Sequence, residues 1–519
     1  MVTCNRVLVA VPVTLFAAGW WHFARQGQEA TSGPSADRHR GVGFSEAGDS
    51  CAGNCGTWAN TCWCIDECTS RGNCCSDYEN VCSQRACPAC PNSTYNCDDW
   101  IKYDPSKYTC DALQRDFNCD CRGCSQCSGP SPSPSPSPHD NVAKLRLFRE
   151  AEYPKARCLD GSMAGYYYRK GPANKYLIFL EGGGWCYDSN CASPTKAGTL
   201  KDCTARSRTS LGSSGSWSSE QDSYLTGMLS ADFSKNPVFH NWTLVYVPYC
   251  DGASFSGDKE VGGLHFRGRS ILRSLIQELL TSTSVRGAEQ VVLSGGSAGA
   301  SAVYYHADSV AEQLALTSGR LFALPDAGFF LNLPDKDGIN CWPLQMKGLF
   351  DIIGNYGDLN AGCLKRFKNS QRWKCLYPEN YVDLIETPLF ALHSYYDSSE
   401  TTYTLRLDCC PGGCGGRQPK CMGKELHLFE EMKDKHTKAW APLVQKNGSG
   451  IWSPSCIAHT MAWGKWTDSS WEVPAGSGNT MAAVVGRWLA GAEDGLHFVY
   501  QDEVAWPKNR PCAGDVAWK

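Results

Sequence analysis

The sequence predicts an α/β protein, in which a mostly parallel sheet carries helices on both faces and follows small disulfide-rich modules. Three observations support this prediction. Short runs of β-branched and aromatic residues alternate with helical stretches after residue 141. Loops rich in Gly, Asp and Ser follow these runs. Of the 31 cysteines, 16 lie between residues 51 and 127, where aliphatic residues are too few for an ordinary core.

The charge and cysteine content restrict the class of protein. Lysine and arginine total 49 and aspartate and glutamate 53, for a net charge of −4 over 519 residues. This balance gives no electrostatic basis for binding nucleic acid. Apart from Cys4, the cysteines fall into groups of 8, 8 and 14. Even groups predict disulfides that close within each group, and therefore a secretory protein.

The N-terminus supports secretion. Residues 7–21 read VLVAVPVTLFAAGWW, which has the length of a signal-peptide core and is short for a bilayer span of about 20 residues. Residues 1–24 are therefore predicted to be a signal peptide. The alternative is an uncleaved signal anchor that leaves the rest of the chain lumenal or extracellular. Sequons for N-glycosylation begin at Asn92, Asn241 and Asn447.

The first cysteine-rich module spans residues 48–84. Its pattern, C-x3-C-x6-C-x-C-x3-C-x5-C-C-x6-C, resembles a somatomedin B domain, which implies a knot of four disulfides used for protein binding. A spacer with no partner is the alternative. The cysteines of this knot are Cys51, Cys55, Cys62, Cys64, Cys68, Cys74, Cys75 and Cys82.

A second cysteine-rich module and a linker follow. The module, residues 85–128, contains C-x2-C steps that fit zinc, but disulfides are favoured in a secreted chain. Residues 129–140 contain alternating Ser and Pro, which favours an extended polyproline II stalk. The stalk separates both modules from a large domain, residues 141–519.

In the large domain, predicted strands end in polar loops. The strands are KYLIFL (175–180), TLVYVPYC (243–250), QVVLS (290–294), LFAL (321–324) and TPLFALH (387–393). SILRSLIQELL (270–280) has the apolar spacing of a helix between them. In a parallel sheet, sites form in the loops that leave the carboxyl ends of strands.

The sequence GGSAG (295–299) predicts a nucleophile elbow. Ser297 follows a predicted strand and precedes a predicted helix, as in an α/β-hydrolase. Gly295 and Gly299 would be required sterically in so tight a turn. The amide of Ala298, at the helix N-terminus, is suited to an oxyanion. The second loop of an oxyanion hole is predicted in EGGGWC (181–186), with Gly184 and Trp185 as donors.

The base and the acid are less distinct in the sequence. An α/β-hydrolase has the chain order Ser, acid, His. His427 and His436 lie in a charged stretch and are predicted to be solvent-exposed, and His497 lies in a predicted terminal strand. His459 lies in a loop that Cys456 could anchor, and His393 remains an alternative. For the acid, topology favours Asp397, directly after a late strand, with Asp326 as its rival.

Several motifs in order resemble the pectinacetylesterase/Notum family of secreted serine esterases. They are EGGGWC, YCDGASFSGD, FRGRSIL, LSGGSAGASA, PDAGFF, PLFALHSYYDS and CIAHT, across residues 145–495. The resemblance implies Ser297 as nucleophile, His459 as base, Asp326 as the third member, and an oxyanion hole from Gly184, Trp185 and Ala298. Gly296 and Thr460 stand where plant members often have cysteine, which puts the family's disulfide pattern in doubt here.

The resemblance implies ester hydrolysis through a serine, without cofactor or metal. We expect removal of O-acetyl groups from a pectin-like extracellular polysaccharide. One alternative is a Notum-like deacylase of a lipid-modified secreted protein. Another is an inactive adhesive protein that presents its cysteine-rich modules to a partner. No metal-ligand cluster is evident in the sequence outside the cysteine-rich modules.

Overall fold

The computed structural model describes residues 142–505 except 192, 355–358, 410–420 and 492–497, together with short stretches between residues 58 and 127. The chain divides into two compact units, Met1–Ser133 and Pro134–Lys519. The predicted signal, the Ser-Pro linker, most of the first cysteine-rich module, Asn92 and His497 lie outside the described residues.

The first unit contains two short strands, one helix and three disulfides among its described residues. Strand β1 (Trp58–Ala59) pairs antiparallel with β2 (Cys62–Trp63), and helix α1 spans Cys97–Tyr103. The disulfides all lie within the second cysteine group, as the even count predicts. They join Cys90 to Cys119, Cys97 to Cys121 and Cys110 to Cys127. These six sulfurs are therefore not free to bind zinc.

A ten-stranded sheet forms the centre of the second unit. Its strands in chain order are β3 (Ala143–Leu147), β4 (Gly165–Arg169), β5 (Lys175–Leu180), β6 (Glu220–Gln221), β7 (Thr243–Val247), β10 (Gln290–Gly296), β11 (Arg320–Asp326), β12 (Phe390–Leu392), β14 (Gly450–Ser453) and β16 (Phe498–Gln501). Two separate pairs complete the strands: β8 (Lys259–Val261) with β9 (Leu264–Phe266), and β13 (Tyr396–Asp397) with β15 (Ile457–Ala458).

The sheet is mostly parallel, as predicted. Its spatial order is β16-β14-β12-β11-β10-β5-β7-β4-β3-β6. The seven strands from β16 to β7 are parallel, and β4, β3 and β6 extend the sheet in antiparallel fashion. The carboxyl ends of β5, β10, β11 and β12 therefore lie side by side on one edge.

Helices cover both faces of this sheet. They are α2 (Lys196–Arg206), α3 (Gly268–Ser282), α4 (Ala298–Leu314), α5 (Cys341–Ile353), α6 (Ala361–Arg366), α7 (Gly423–Val444) and α8 (Met481–Gly491). Alternate residues of β5 belong to two different cores, Ile178 and Leu180 to one and Leu177 and Phe179 to the other. Since both faces are buried, the strands appear in the sequence as continuous apolar runs.

Five disulfides crosslink the described part of the second unit, all within the third cysteine group. They join Cys158 to Cys250, Cys186 to Cys203, Cys191 to Cys341, Cys363 to Cys375 and Cys409 to Cys421. Such crosslinks persist in oxidising compartments. None of the helices described is both long enough and apolar enough to cross a bilayer.

Candidate active site

Ser297 lies in a strained turn between β10 and α4. Its φ of 55° and ψ of −123° place a non-glycine residue in a sparsely populated region. The Ser297 amide donates to the carbonyl oxygen of Asp326 at 2.9 Å, and its carbonyl accepts from the amide of Ser301 at 3.0 Å. Backbone contacts on both sides hold the turn, and the side chain is half-buried at the edge where parallel strands end.

The glycines around Ser297 are required by close backbone contacts. A Cβ on Gly299 would lie 2.1 Å from the carbonyl oxygen of Leu180, and one on Gly295 would lie 2.6 Å from that of Gly299. A Cβ on Gly182 would lie 2.8 Å from the Cβ of Ser297. The loop after β5 therefore packs directly against the serine, as the GGSAG and EGGGWC motifs together predict.

Side chains fix the carbonyl groups of this loop. Arg206 donates to the carbonyls of Gly183 at 2.6 Å and Trp185 at 3.2 Å, and the Tyr249 hydroxyl donates to that of Gly184 at 2.6 Å. Gly184 has a φ of +64°, which favours glycine. Neither contact was predicted: Arg206 lies outside the motifs, and Tyr249 begins YCDGASFSGD, which does not itself indicate a role at this loop.

His459 is paired with Asp397. Its Nδ1 lies 2.7 Å from Oδ2 of Asp397, whose side chain is fully buried. The pairing of β13 with β15 sets Asp397 beside Ala458, so that His459, the next residue, follows directly. Cys456 is disulfide-bonded, in agreement with the prediction of an anchored loop.

Asp326 has a different environment from the one that the resemblance implied. Its side chain is 2% exposed, and its two carboxylate oxygens accept from the amides of Met461 at 3.2 Å and Ala462 at 2.9 Å. Its main-chain oxygen holds the Ser297 amide. Asp326 therefore connects the serine turn to the residues just after His459, while the carboxylate bonded to the imidazole belongs to Asp397.

The pKa shifts at the site agree with this arrangement. Burial opposes protonation of His459, but the carboxylates of Asp397 and, more weakly, Asp326 and Glu400 together outweigh it and raise the pKa of His459 above its usual value. Burial raises the pKa of Asp326 to about 6, although two amide donors act in the opposite direction.

The other candidate histidines that the structure describes are His393, His427 and His436, and they have other partners. His427 is exposed and forms an ion pair with Glu431 at 2.9 Å, which confirms its prediction. The same prediction is wrong for His436, which is fully buried, because it lies on the apolar face of α7 with Phe429, Met432 and Trp440. His393, after β12, is also fully buried and makes edge-on ring contacts with Phe329 and Trp440.

Aromatic rings fill the space between the loop after β5 and the histidine. The ring centroid of Phe330 lies 6.1 Å from that of His459 and 5.2 Å from that of Trp185. Trp342 packs 5.0 Å from Trp185, and Tyr187 lies 5.8 Å from Trp342. We call Trp185, Tyr187, Phe330 and Trp342 the aromatic cluster; Phe330 is its member nearest the imidazole.

Comparison with known proteins identifies the family. The family model described as Pectinacetylesterase matches residues 137–513, which is more than half of the chain. The chain belongs to the pectinacetylesterase family. It also carries a match to the Somatomedin B domain model over residues 49–85. Both resemblances inferred from the sequence are thereby confirmed, and membership of the pectinacetylesterase family supports carboxylic-ester hydrolysis.

Relatives of this pectinacetylesterase family member include two kinds of named enzyme. Pectin acetylesterase 5 of Arabidopsis thaliana is 33% identical over 364 residues, 67% of this chain and 80% of the relative. Pectin acetylesterase 4 of the same plant is 34% identical over 367 residues, 67% of this chain and 83% of the relative. Palmitoleoyl-protein carboxylesterase NOTUM of Schmidtea mediterranea is 27% identical over 365 residues, 67% of this chain and 63% of the relative.

Proposed function

We propose that this protein is an extracellular serine esterase that removes O-acetyl groups from a pectin-like polysaccharide. Ser297 is the nucleophile, His459 the base and Asp397 the acid that orients it. The observation that carries the proposal is the 2.7 Å contact between His459 and Asp397, on a loop that Asp326 ties to the Ser297 turn. Asp326, which the family resemblance implied as the acid, takes a positioning role instead.

The reaction follows from these positions. The Nδ1–H of His459 donates to Asp397, so Nε2 is free to take the proton of the Ser297 hydroxyl as its oxygen attacks the ester carbonyl. The amides of Ala298, Gly184 and Trp185 stabilise the resulting oxyanion. Collapse of this intermediate breaks the ester bond, and the imidazolium gives its proton to the leaving sugar oxygen, which becomes a hydroxyl.

The second half of the reaction regenerates the serine. Neutral His459 takes a proton from water, whose oxygen attacks the acetyl carbonyl on Ser297. The tetrahedral intermediate releases acetate, and the proton on His459 returns to the serine oxygen. The Asp397 carboxylate stabilises the imidazolium in both halves without being protonated itself.

The acetyl group is favoured over a long acyl chain by two observations. Phe330 of the aromatic cluster lies 6.1 Å from the His459 ring, and Trp342 behind it is only 3% exposed, which fits a small acyl group. The two plant pectin acetylesterases are also more similar to this chain than the planarian carboxylesterase, at 33% and 34% against 27% identity.

The cysteine-rich unit and the glycan sites belong to the same proposal. Disulfide-linked modules and sequons at Asn241 and the exposed Asn447 fit a protein that passes through the secretory pathway. We propose that the somatomedin B domain binds a protein partner and that the polysaccharide, rather than a nucleic acid, is the substrate.

The test is turnover of p-nitrophenyl acetate and acetylated pectin by wild-type protein and by Ser297→Ala. We expect acetate release by the wild type and its loss in Ser297→Ala. Ser301→Ala is the matched control, since Ser301 lies on the same helix and its hydroxyl donates to the Gly328 carbonyl at 3.2 Å. Equal turnover by Ser297→Ala would refute the nucleophile. A clear preference for a decanoyl ester would favour the lipid deacylase.

A further inference from the structure

Three titratable side chains that the proposed mechanism does not use form a buried cluster next to Asp397. His393 follows β12, Glu400 begins a π-helical turn (Glu400–Thr404), and His436 lies on α7. The side chains of all three are fully buried. Oε2 of Glu400 lies 2.9 Å from Nε2 of His436 and 3.6 Å from Nε2 of His393.

The short distance between Glu400 and His436 favours a charged pair. Nδ1 of His436 lies 3.1 Å from the carbonyl oxygen of Met432 and donates to it. In a neutral ring Nε2 would then carry a lone pair facing the carboxylate, and the two would repel. Burial opposes the charge on each group, but the mutual attraction prevails, so the pKa of His436 is raised and that of Glu400 lowered. Burial lowers the pKa of His393, which is neutral.

Glu400 connects this ion pair to the proposed triad. Its Oε1 accepts from the amide of Leu331 at 2.8 Å, so both ends of the carboxylate are held. Its own amide donates to Oδ1 of Asp397 at 3.2 Å, and the amide of Ser399 donates to the same oxygen at 2.8 Å. The other oxygen of Asp397 faces His459. The position of Asp397 therefore depends on how firmly the Glu400 turn is held.

We propose that the buried ion pair of Glu400 and His436 positions Asp397 and, through it, the imidazole of His459. The inference rests on the triad of the proposed function and assigns a role to two residues outside that triad. Glu400 and His436 are positioning residues, since neither contacts Ser297 or the space where an ester would bind. The ion pair joins α7 to the turn that carries Asp397.

A metal ion is the competing explanation of the same three side chains. Their donor atoms lie within 4.8 Å of one another, and two imidazoles with a carboxylate are a common ligand set. However, tetrahedral zinc with bonds of about 2.0–2.1 Å sets its ligand atoms roughly 3.3 Å apart. The 2.9 Å between Glu400 and His436 is shorter and fits a direct ion pair.

The experiment compares Glu400→Gln, His436→Gln and the double variant with the full-length wild type on p-nitrophenyl acetate. We expect each single variant to lower kcat about tenfold or more with KM within about twofold, because one unpaired buried charge displaces the Asp397 turn. The double variant buries neither charge and should recover part of the loss. His427→Gln is the control: it lies on the same helix and forms the same kind of pair at 2.9 Å, but it is 70% exposed, so no change is expected.

Each outcome decides for or against the ion pair. If the single variants are not secreted, secretion of the double variant supports the pair, because the loss then comes from the unpaired charge. The proposal is overturned if the double variant has a kcat and a secretion yield no higher than those of the worse single variant. One equivalent of a transition metal in the purified wild type, measured by plasma mass spectrometry, also overturns it. Failure of the proposed function would give a different result: wild type and Ser297→Ala would then have equal turnover.

Discussion

Asp397 and His459 are joined by a 2.7 Å contact between Oδ2 and Nδ1, although 61 residues separate them in the sequence. The short parallel pairing of β13 with β15 produces this contact, because β13 ends at Asp397 and β15 ends at Ala458, the residue before His459. Asp326 lies between the same loop and the serine turn, bonded to backbone amides. The two aspartates therefore have separable roles.

Substitution of the two aspartates should separate these roles. Asp397→Asn should lower kcat on p-nitrophenyl acetate by about 10⁴-fold, because an amide no longer accepts the Nδ1–H and the wrong imidazole tautomer results. Asp326→Asn should lower kcat by about 10- to 100-fold. Its side-chain amide would turn an N–H toward one of the two backbone amides that the carboxylate now accepts from. Steady-state kinetics on both proteins measure the ranking, and the opposite order would return the acid role to Asp326.

The pH dependence should report the raised pKa of His459. Only the neutral imidazole acts as a base, so kcat/KM should fall as the pH drops through the pKa of His459, and the acidic limb should lie above pH 6.5. Loss of the neighbouring negative charge in Asp397→Asn should move that limb to lower pH. A pH profile of both proteins tests this, and an unmoved limb would mean that another group titrates.

Removal of a ring from the aromatic cluster should allow the site to accept longer acyl chains. Trp342→Ala removes a ring 5.0 Å from Trp185 and 6.1 Å from Phe330, so kcat/KM for an octanoyl ester relative to an acetyl ester should rise about tenfold. The control is Trp373→Ala, which lies in the 3-10 helix Asn369–Leu376 and contacts Tyr377. A profile unchanged by Trp342→Ala would place the acyl group elsewhere.

The serine turn should tolerate no side chain at Gly299. A Cβ there would lie 2.1 Å from the carbonyl oxygen of Leu180, which cannot move without disturbing β5. Gly299→Ala should therefore abolish activity or secretion. Gly348→Ala, within α5, meets nothing within 4 Å and should raise stability by about 0.5–1 kcal/mol. Thermal unfolding and secretion yield compare them; equal behaviour would show that the turn is not crowded.

Local patterns predicted the sheet and the serine turn. KYLIFL forms β5 over the residues proposed for it, and the alternation of β5 between two cores explains why its apolar run is unbroken. Gly295 and Gly299 of GGSAG are needed because neighbouring backbone atoms leave no room for a Cβ. These features depend on neighbours close in sequence or on the general geometry of a parallel sheet.

The choice between Asp326 and Asp397 depended on longer-range structure. Both follow strands whose carboxyl ends lie at one edge, so topology alone left both open, and the family resemblance pointed to the residue that the structure bonds to amides. The β13–β15 pairing brings Asp397 to His459, and it involves only two residues on each strand. So short a pairing leaves no recognisable strand pattern in the sequence. The burial of His436 did leave one, since Phe429, Met432, His436 and Trp440 recur at helical spacing.

Covalent labelling tests the central claim most directly. A fluorophosphonate probe reacts with an activated serine, and peptide mass spectrometry locates the adduct. We predict a single adduct on Ser297 in the wild type, none in Ser297→Ala, and much slower labelling in His459→Ala because the base is absent. An adduct on another residue, or no adduct on folded wild-type protein, would contradict the proposed triad.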